Sequence, residues 1–209
     1  MKLYDFKAAP NPRRARIFIA EKGLEIPAEQ VDLGSGEQFS DAFRAVNPRC
    51  TVPVLELDDG SRITEVIAIC RYLEELHPEP SLFGGDALER AQVTMWEQRV
   101  LLDGLAAVAE SFRNRSRGFV GRALPGPDEV AQIPELVERG RARALRFWAD
   151  LDAELAGREF VAGEAYSMAD INALVMVDFA GWIKLEPPEE MGHLKRWYAA
   201  VSARPSAQA

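Results

Sequence analysis

The chain is poor in the residues that build metal centres and covalent frameworks. Among its 209 residues are two cysteines, Cys50 and Cys70, and two histidines, His77 and His193. Two thiols cannot form a disulfide scaffold, and four such widely spaced residues do not make a zinc pattern, so no structural metal is expected. Positive charge is in deficit too: 25 Lys and Arg stand against 33 Asp and Glu, for a formal net charge of −8. That balance lacks the basic surplus that nucleic-acid binding leaves on a sequence, and nucleic acid is excluded as a partner. No stretch approaches the roughly 18 uninterrupted apolar residues of a membrane span. The opening MKLYDFKAAPNPRR has neither an apolar core nor a small-residue cleavage site, so a cytoplasmic protein with no membrane partner is expected. Internal repeats and low-complexity segments are absent as well.

What is present is ordinary for a globular protein: 47% hydrophobic and 28% charged residues, in a chain long enough for one large domain or two small ones. One local run, Arg113, Arg115, Arg117 and Arg122, departs from the acidic balance. It reads either as solvated helix ends or as a patch for an anionic acceptor or partner.

In the first part of the chain, Lys2 to Phe6 alternates as a short strand and Lys7 to Pro10 follows as a loop. Asn11 suits a helix N-cap and Pro12 the first helical position, while Ile17, Ala20 and Leu24 make an apolar stripe that Gly23 ends. Ile26 to Leu33 reads as a second strand and Phe39 to Val46 as a short helix. Val54, Leu55 and Leu57, the Asp59-Gly60 turn and Arg62 to Thr64 then spell strand, turn, strand. Ile67, Ile69, Cys70, Leu73 and Leu76 recur at helical spacing behind Glu65, whose charge suits a helix start. Residues 1–77 thus run β-α-β-α-β-β-α, the order of an α/β thioredoxin-like domain.

His77-Pro78-Glu79-Pro80 stops the last of these helices, and residues 78–85 read as a linker. Residues 86–209 read as all-helical. Ala87 to Phe112 is a long amphipathic helix in which Arg99 and Asp103 are spaced to pair at i,i+4. Leu136 to Leu155 is another, with Gly157 as its expected C-terminal cap. Ser167-Met168-Ala169-Asp170 has the spacing of a capping box, and Tyr166 and Ile171 that of its staple. The helix behind it, through Leu174, Val175, Val177, Phe179 and Trp182, is apolar nearly all round and is expected at the centre of the helical domain. His193 to Val201 gives a last amphipathic helix.

Pro53 has no N–H and cannot serve a central ladder, which leaves the Val52 backbone free beside it. By local sequence the Val52-Pro53 bond is either an ordinary trans proline at a strand start or a cis bond. The second arrangement would turn the Val52 main chain outward to pair with an extended, peptide-like ligand.

The run N-P-x-x-x-V-P-V-L, then D-D-G, then an acidic residue opening a helix that ends in R-Y-L-E, resembles the glutathione-binding half of a glutathione transferase. A-G-E-x-Y-S-M-A-D and W-Y-x-x-V-x-x-R-P-S resemble the helical half of the same family, so the likeness spans nearly the whole chain. The resemblance implies a cis Pro53, a Val52 backbone paired with the cysteinyl part of glutathione, and Glu65 at its γ-glutamyl end. Val66 stands where the family usually carries serine or threonine, so only its backbone N–H is on offer. Arg49 is the expected partner of the glycyl carboxylate.

The family usually activates the thiol with a tyrosine, serine or cysteine after the first strand. Lys7 to Pro12 holds none of the three, and Tyr4 lies within the strand. Asn11 is the nearest polar side chain: it is either a plain N-cap or a donor to the thiolate, joined by the backbone N–H groups of Arg13 and Arg14. Met95, Arg99 and Asp103 are the expected acceptor-site residues. The reaction implied is transfer of glutathione's sulfur to a small electrophile, with glutathione as co-substrate, no metal, and a homodimer as the working form. The alternatives are a non-catalytic binding or interaction protein of the same fold, or a glutathione-dependent isomerase, lyase or peroxidase, which fold alone does not separate.

Overall fold

The computed structural model describes residues 1–209. The chain divides into two compact units, one of Met1–Pro80 with Leu124–Glu129 and Ala209, the other of Ser81–Ala123 and Val130–Gln208.

The first unit runs β1 (Lys2–Asp5), α1 (Pro10–Glu21), β2 (Ala28–Gln30), α2 (Asp41–Val46), β3 (Val54–Glu56), β4 (Arg62–Thr64) and α3 (Val66–Leu76). The strands form one sheet in the order β2-β1-β3-β4, parallel between β1 and β2 and antiparallel elsewhere. Leu3, Val54 and Leu55 are fully buried in it, and Ile17 and Phe18 of α1 with Ile69 and Leu73 of α3 supply the buried helical faces. Gly23 ends α1 as its pattern predicts: at φ +63° it adopts the left-handed turn. Its N–H reaches Ala20 O while that of Leu24 reaches Ile19 O, both at 3.0 Å.

The helix starts earlier than its sequence signals suggest. Pro10 occupies the first helical position and Ala9 is the N-cap, with no side-chain cap bond, so Asn11 is not the cap. Proline fits anywhere in the first turn, and Pro10 claims that place two residues before Pro12 does. The stretch read as one helix from Phe39 is a 3₁₀ turn, Glu37–Phe39, followed by α2. Ser40 separates them: its N–H reaches Glu37 O at 2.9 Å at the end of the turn, and its Oγ accepts the N–H of Phe43 at 3.2 Å as the N-cap of α2.

Registers decide what the unit can do. Val54 pairs with Tyr4 on one side and Thr64 on the other. The residues just outside these pairs, Phe6 to Pro10 after β1, Val52-Pro53 before β3 and Glu65 after β4, therefore emerge at one end of the sheet.

The second unit is helical: α4 (Ala87–Arg99), α5 (Ala106–Arg115), α6 (Glu135–Leu155), α7 (Met168–Gly181) and α8 (Gly192–Ser202). α4 and α5 are one rod joined by a π-helical segment, Val100–Leu105. That wider winding breaks the i,i+4 match on which an Arg99–Asp103 pair depends. Asp103 instead lies 4.0 Å from Arg143 of α6, and Arg99 lies over the ring of Trp96 at 4.9 Å. Two glycines allow close approach across the rod. A Cβ on Gly140 of α6 would meet Ala107 O at 2.5 Å and Ser111 N at 2.8 Å, and one on Gly104 would meet Met176 Sδ at 2.2 Å. The C-cap of α6 is Ala156 in right-handed geometry, so the helix ends before Gly157 and needs no left-handed residue.

α7 is the centre of this unit, with nearly every residue buried. Its start is the capping box that the sequence shows. The fully buried Asp170 carboxylate accepts from Ser167 N at 3.0 Å, Ser167 Oγ at 3.1 Å, Val161 N at 2.9 Å and the Trp197 indole at 2.9 Å. Four donors favour the ion, but burial outweighs them and pushes Asp170 up to about 6.

Candidate functional site

The start of α1 is set by a buried acid. Asp5, 1% exposed, accepts from Arg16 Nη1 at 2.5 Å and from Gln30 Nε2 at 2.7 Å. Arg16 also donates to Lys7 O at 2.8 Å, and Gln30 takes the Lys7 N–H at 2.9 Å, so the loop after β1 is tied on both sides. With prolines at 10 and 12, Asn11 carries the one N–H of the first three helical positions. The Arg13 N–H is already directed to Ala9 O at 3.3 Å, which removes it from the expected set of thiolate donors. The Asn11 side chain is exposed and its Oδ1 accepts from Arg14 Nη1 at 3.1 Å, which turns its amide donors away from the buried Arg14. Tyr4 is not available here, since its hydroxyl points to Glu56 Oε2 at 3.4 Å.

The turn before β3 is knitted by Asn47, 1% exposed, which ends α2. Its Nδ2 donates to Thr51 O at 2.7 Å and Thr51 Oγ1 at 3.0 Å, and its Oδ1 accepts the Arg49 N–H at 3.0 Å. Its main chain is committed as well, N–H to Phe43 O at 2.8 Å and C=O from Cys50 N at 2.9 Å. Cys50, at φ +54°, takes the left-handed step that closes the turn and is buried as a small filler, with its Sγ 3.7 Å from Pro48 O. Val52-Pro53 is cis, and Val52 buries its side chain in a cluster with Tyr4, Val31, Phe43 and Val54. The ladder begins at Val54, so the Val52 main chain lies outside it.

Glu65 is the N-cap of α3 at φ +67° and ψ 125°, a region that residues with a Cβ occupy at a cost of about 1–3 kcal/mol. Its carboxylate makes no cap bond and is 70% exposed. The first N–H groups of α3, beginning with the buried Val66, point out of the helix at this place. Arg49 Nε stands 3.7 Å from Glu65 Oε1. The resemblance puts these two side chains at opposite ends of a tripeptide; the structure brings them together, at the α3 end.

In the helical unit a cavity of about 660 Å³ is lined by Trp96, Arg99, Asp103, Phe147, Asp150 and residues 153–154. Arg99 and Asp103 are thus together, whereas Met95, 42% exposed, is not among the lining residues. Glu110 holds Arg139 through two bonds of 3.0 and 2.6 Å, and that guanidinium keeps its carboxyl below the usual range. The arginine run is mostly committed to carbonyls. Arg113 donates to Ala123 O and Arg122 O, Arg115 to Ile183 O, and Arg122 to Gly118 O. Burial brings Arg113 down to about 10.

Sequence reasoning missed Asn47 and the buried Gln38, whose Oε1 has no partner, and it named Arg14 for its backbone N–H without foreseeing that the side chain is buried. Asn47 stood in the quoted motif; what gives it away is that asparagine followed by proline ends a helix and can bond its own turn. Arg14 and Gln38 carry no such signal.

A four-stranded thioredoxin-like sheet followed by an all-helical unit is the architecture of a particular class of two-domain proteins. The family model described as Glutathione S-transferase, N-terminal domain, matches residues 8–76, and that described as Glutathione S-transferase, C-terminal domain, matches residues 114–205. "Glutathione S-transferase 2" of Saccharomyces cerevisiae is 38% identical over 209 residues, covering 99% of this chain and 87% of that one. The crystal structure of a glutathione S-transferase domain-containing protein of Marinobacter aquaeolei superposes with a TM-score of 0.90 at 40% identity, covering 99% of each chain. A "Maleylacetoacetate isomerase" of Pseudomonas aeruginosa is 31% identical over 188 residues, covering 73% of this chain and 85% of that one. The chain belongs to the glutathione S-transferase family.

Proposed function

We propose that this protein is a glutathione transferase that joins the glutathione thiolate to a small electrophile, and that its first unit grips the tripeptide by the sheet end where Val52, Glu65 and Asn11 emerge. The observation that carries the reading is Glu65: a strained, uncapped and exposed carboxylate at a helix start, 3.7 Å from a guanidinium. An α-amino-acid head group is a zwitterion. Glu65 suits its ammonium, while Arg49 and the free N–H groups from Val66 onward suit its carboxylate. Arg49 is therefore assigned to the γ-glutamyl end in this proposal, in place of the glycyl carboxylate.

The Val52 main chain, left outside the ladder before Pro53, pairs with the cysteinyl part in the same scheme. The thiolate takes the Asn11 N–H and amide at the α1 start, where the helix dipole favours an anion. Asn11 is the proposed catalytic donor; Arg13 adds positive charge two residues on and not its N–H. Glutathione supplies the nucleophilic sulfur, and the chain holds it ionised and in place. Arg99 and Asp103 in their cavity are proposed for the acceptor, with Met95 outside that lining and next to Trp96.

Titration of the protein with glutathione tests the reading. Binding at or below millimolar concentration that Glu65→Ala weakens at least ten-fold supports it; no heat and no thermal shift with the unaltered protein removes it. A second reading, a binding protein of the same fold, draws on the absence of a tyrosine, serine or cysteine between Lys7 and Pro12. Glutathione binding without turnover of several electrophiles would select it, and the relative named "Maleylacetoacetate isomerase" makes isomerisation the first alternative reaction to assay.

The proposed working form is a cytoplasmic homodimer. Leu88 and Met95 of α4 and Leu102 of the π segment are exposed apolar side chains, at 67%, 42% and 55%. Exposed apolar side chains along one rod are suited to burial against a second copy of it. Sedimentation of the protein and of Met95→Glu checks this: dimer for the first and a shift to monomer for the second are expected.

A further inference from the structure

The glutathione reading leaves open what holds Arg49 and Val52 in place, since both lie in a turn between α2 and β3. We infer that Asn47 is a positioning residue for tripeptide binding: it acts through Arg49 and Thr51-Val52 and does not touch the ligand. The inference rests on the proposed glutathione site.

Cys50 closes the turn by its N–H to Asn47 O and Val52 is held by its buried side chain, but neither fixes the residues between them and Asn47. Arg49 is 72% exposed, so its own packing does not fix it. Its backbone is fixed by the Asn47 Oδ1 bond at 3.0 Å, and the residue before Val52 by two bonds from Asn47 Nδ2, at 2.7 and 3.0 Å. Asn47 is itself anchored through its N–H to Phe43 O at 2.8 Å. Phe43 lies in the same buried cluster as Val52. One side chain thus binds the turn on both sides of Cys50 and refers it to the core of the unit. Asparagine alone has this combination at this length: one acceptor for the Arg49 N–H and donors for both oxygens of Thr51. Aspartate keeps the acceptor and sets a carboxylate against the Thr51 carbonyl, and alanine loses everything.

Loss of the anchor leaves Arg49 and the Val52 main chain to sample other positions, so it costs binding by removing preorganisation. The distinguishing consequence is coupling. If Asn47 works by holding Arg49, much of its effect disappears once Arg49 is truncated.

The test measures the glutathione dissociation constant by calorimetry for the unaltered protein and for Asn47→Ala, Asn47→Asp, Arg49→Ala, the Asn47→Ala/Arg49→Ala pair, Glu65→Ala and Lys22→Met. Lys22→Met is the control for destabilisation, because Lys22 Nζ is bound to the carbonyls of His77, Pro78 and Pro80, away from the turn. Both Asn47 variants should weaken glutathione by five- to ten-fold. The pair should fall well short of the product of its single effects, and Lys22→Met should bind within two-fold of the unaltered protein. Where turnover is measurable, KM for glutathione should rise for the Asn47 variants with kcat nearly unchanged. Asn47→Ala binding within two-fold of the unaltered protein, or weakening no more than Lys22→Met does, overturns the inference while Glu65→Ala still reports on the site. No binding by the unaltered protein overturns both.

Discussion

The indole N–H of Trp197 on α8 donates to the carboxylate of Asp170 on α7 at 2.9 Å, inside a pocket from which water is excluded on all sides. The same carboxylate closes the capping box, so one buried charge joins a helix start, the Val161 backbone and a second helix. Removing it strands those donors. Asp170→Ala is expected to cost about 3 kcal/mol or more in urea unfolding, well above the ~1 kcal/mol of an exposed cap. Ser167→Ala should lie nearer the smaller figure.

The same residue gives the stability a definite pH dependence. Burial raises Asp170 from 3.8 to about 6, so the folded protein holds this proton more tightly than the unfolded chain does. The contribution is fully present below pH ~4 and is lost as pH rises through ~6, to a total of about 3 kcal/mol. Other carboxylates, such as Glu110, are shifted the opposite way. The measurement is therefore the difference in unfolding free energy between the unaltered protein and Asp170→Asn, which should fall between pH 4.5 and 7; a flat or rising difference contradicts it.

Glu65 separates strain from binding. At φ +67° a Cβ is costly and glycine is not, so Glu65→Gly should be more stable than Glu65→Ala by about 1 kcal/mol. Both should lose glutathione affinity alike. Thermal unfolding checks the first statement and calorimetry the second.

Asn11 is not the cap of α1, so its truncation should leave stability within ~0.5 kcal/mol of the unaltered protein. Its proposed role at the thiolate predicts a large effect elsewhere. Asn11→Asp places a negative charge beside the sulfur and should raise the pKa of bound glutathione thiol by about one unit, ~1.4 kcal/mol, read from thiolate absorbance against pH. An unchanged thiol pKa would remove Asn11 from the mechanism.

Gly140→Ala brings a methyl group against Ala107 O, where backbone cannot yield as a side chain can. Alanine normally favours a helix over glycine by about 1 kcal/mol, and here the sign should reverse to a loss of about 1–3 kcal/mol in urea unfolding.

Much of the architecture was legible because local and tertiary preferences agree. The Gly23 helix end, the turn at Gly60 and the Ser167–Asp170 box are each fixed by residues within four positions of one another. The thioredoxin-like order followed from such punctuation. What was not legible depended on distant partners or on competing local options. Pro10 and Pro12 both suit a first turn, and which one opens α1 is decided by the loop that Asp5, Arg16 and Gln30 hold. The Arg99–Asp103 spacing presumes regular α-helix, and the π segment that cancels it follows from contacts with α6 and α7 through Gly104. Of the proposed glutathione residues, Val52 and Glu65 could be located from their motif, while the approach of Arg49 to Glu65 required the course of the turn that Asn47 holds.

The π-helical segment between α4 and α5 has a consequence for how this rod tolerates changes in length. Its wider winding, with hydrogen bonds reaching five residues back, takes up one residue more than regular α-helix would. Deleting one residue between Val100 and Leu105 lets the segment rewind as ordinary α-helix, and the two changes offset, so everything from Ala106 onward keeps nearly the same phase about the rod axis. The notch that receives Gly140 would still face α6. Shortening by one residue should consequently be tolerated here, whereas the same deletion inside α4 or α5 would turn all that follows by about 100°.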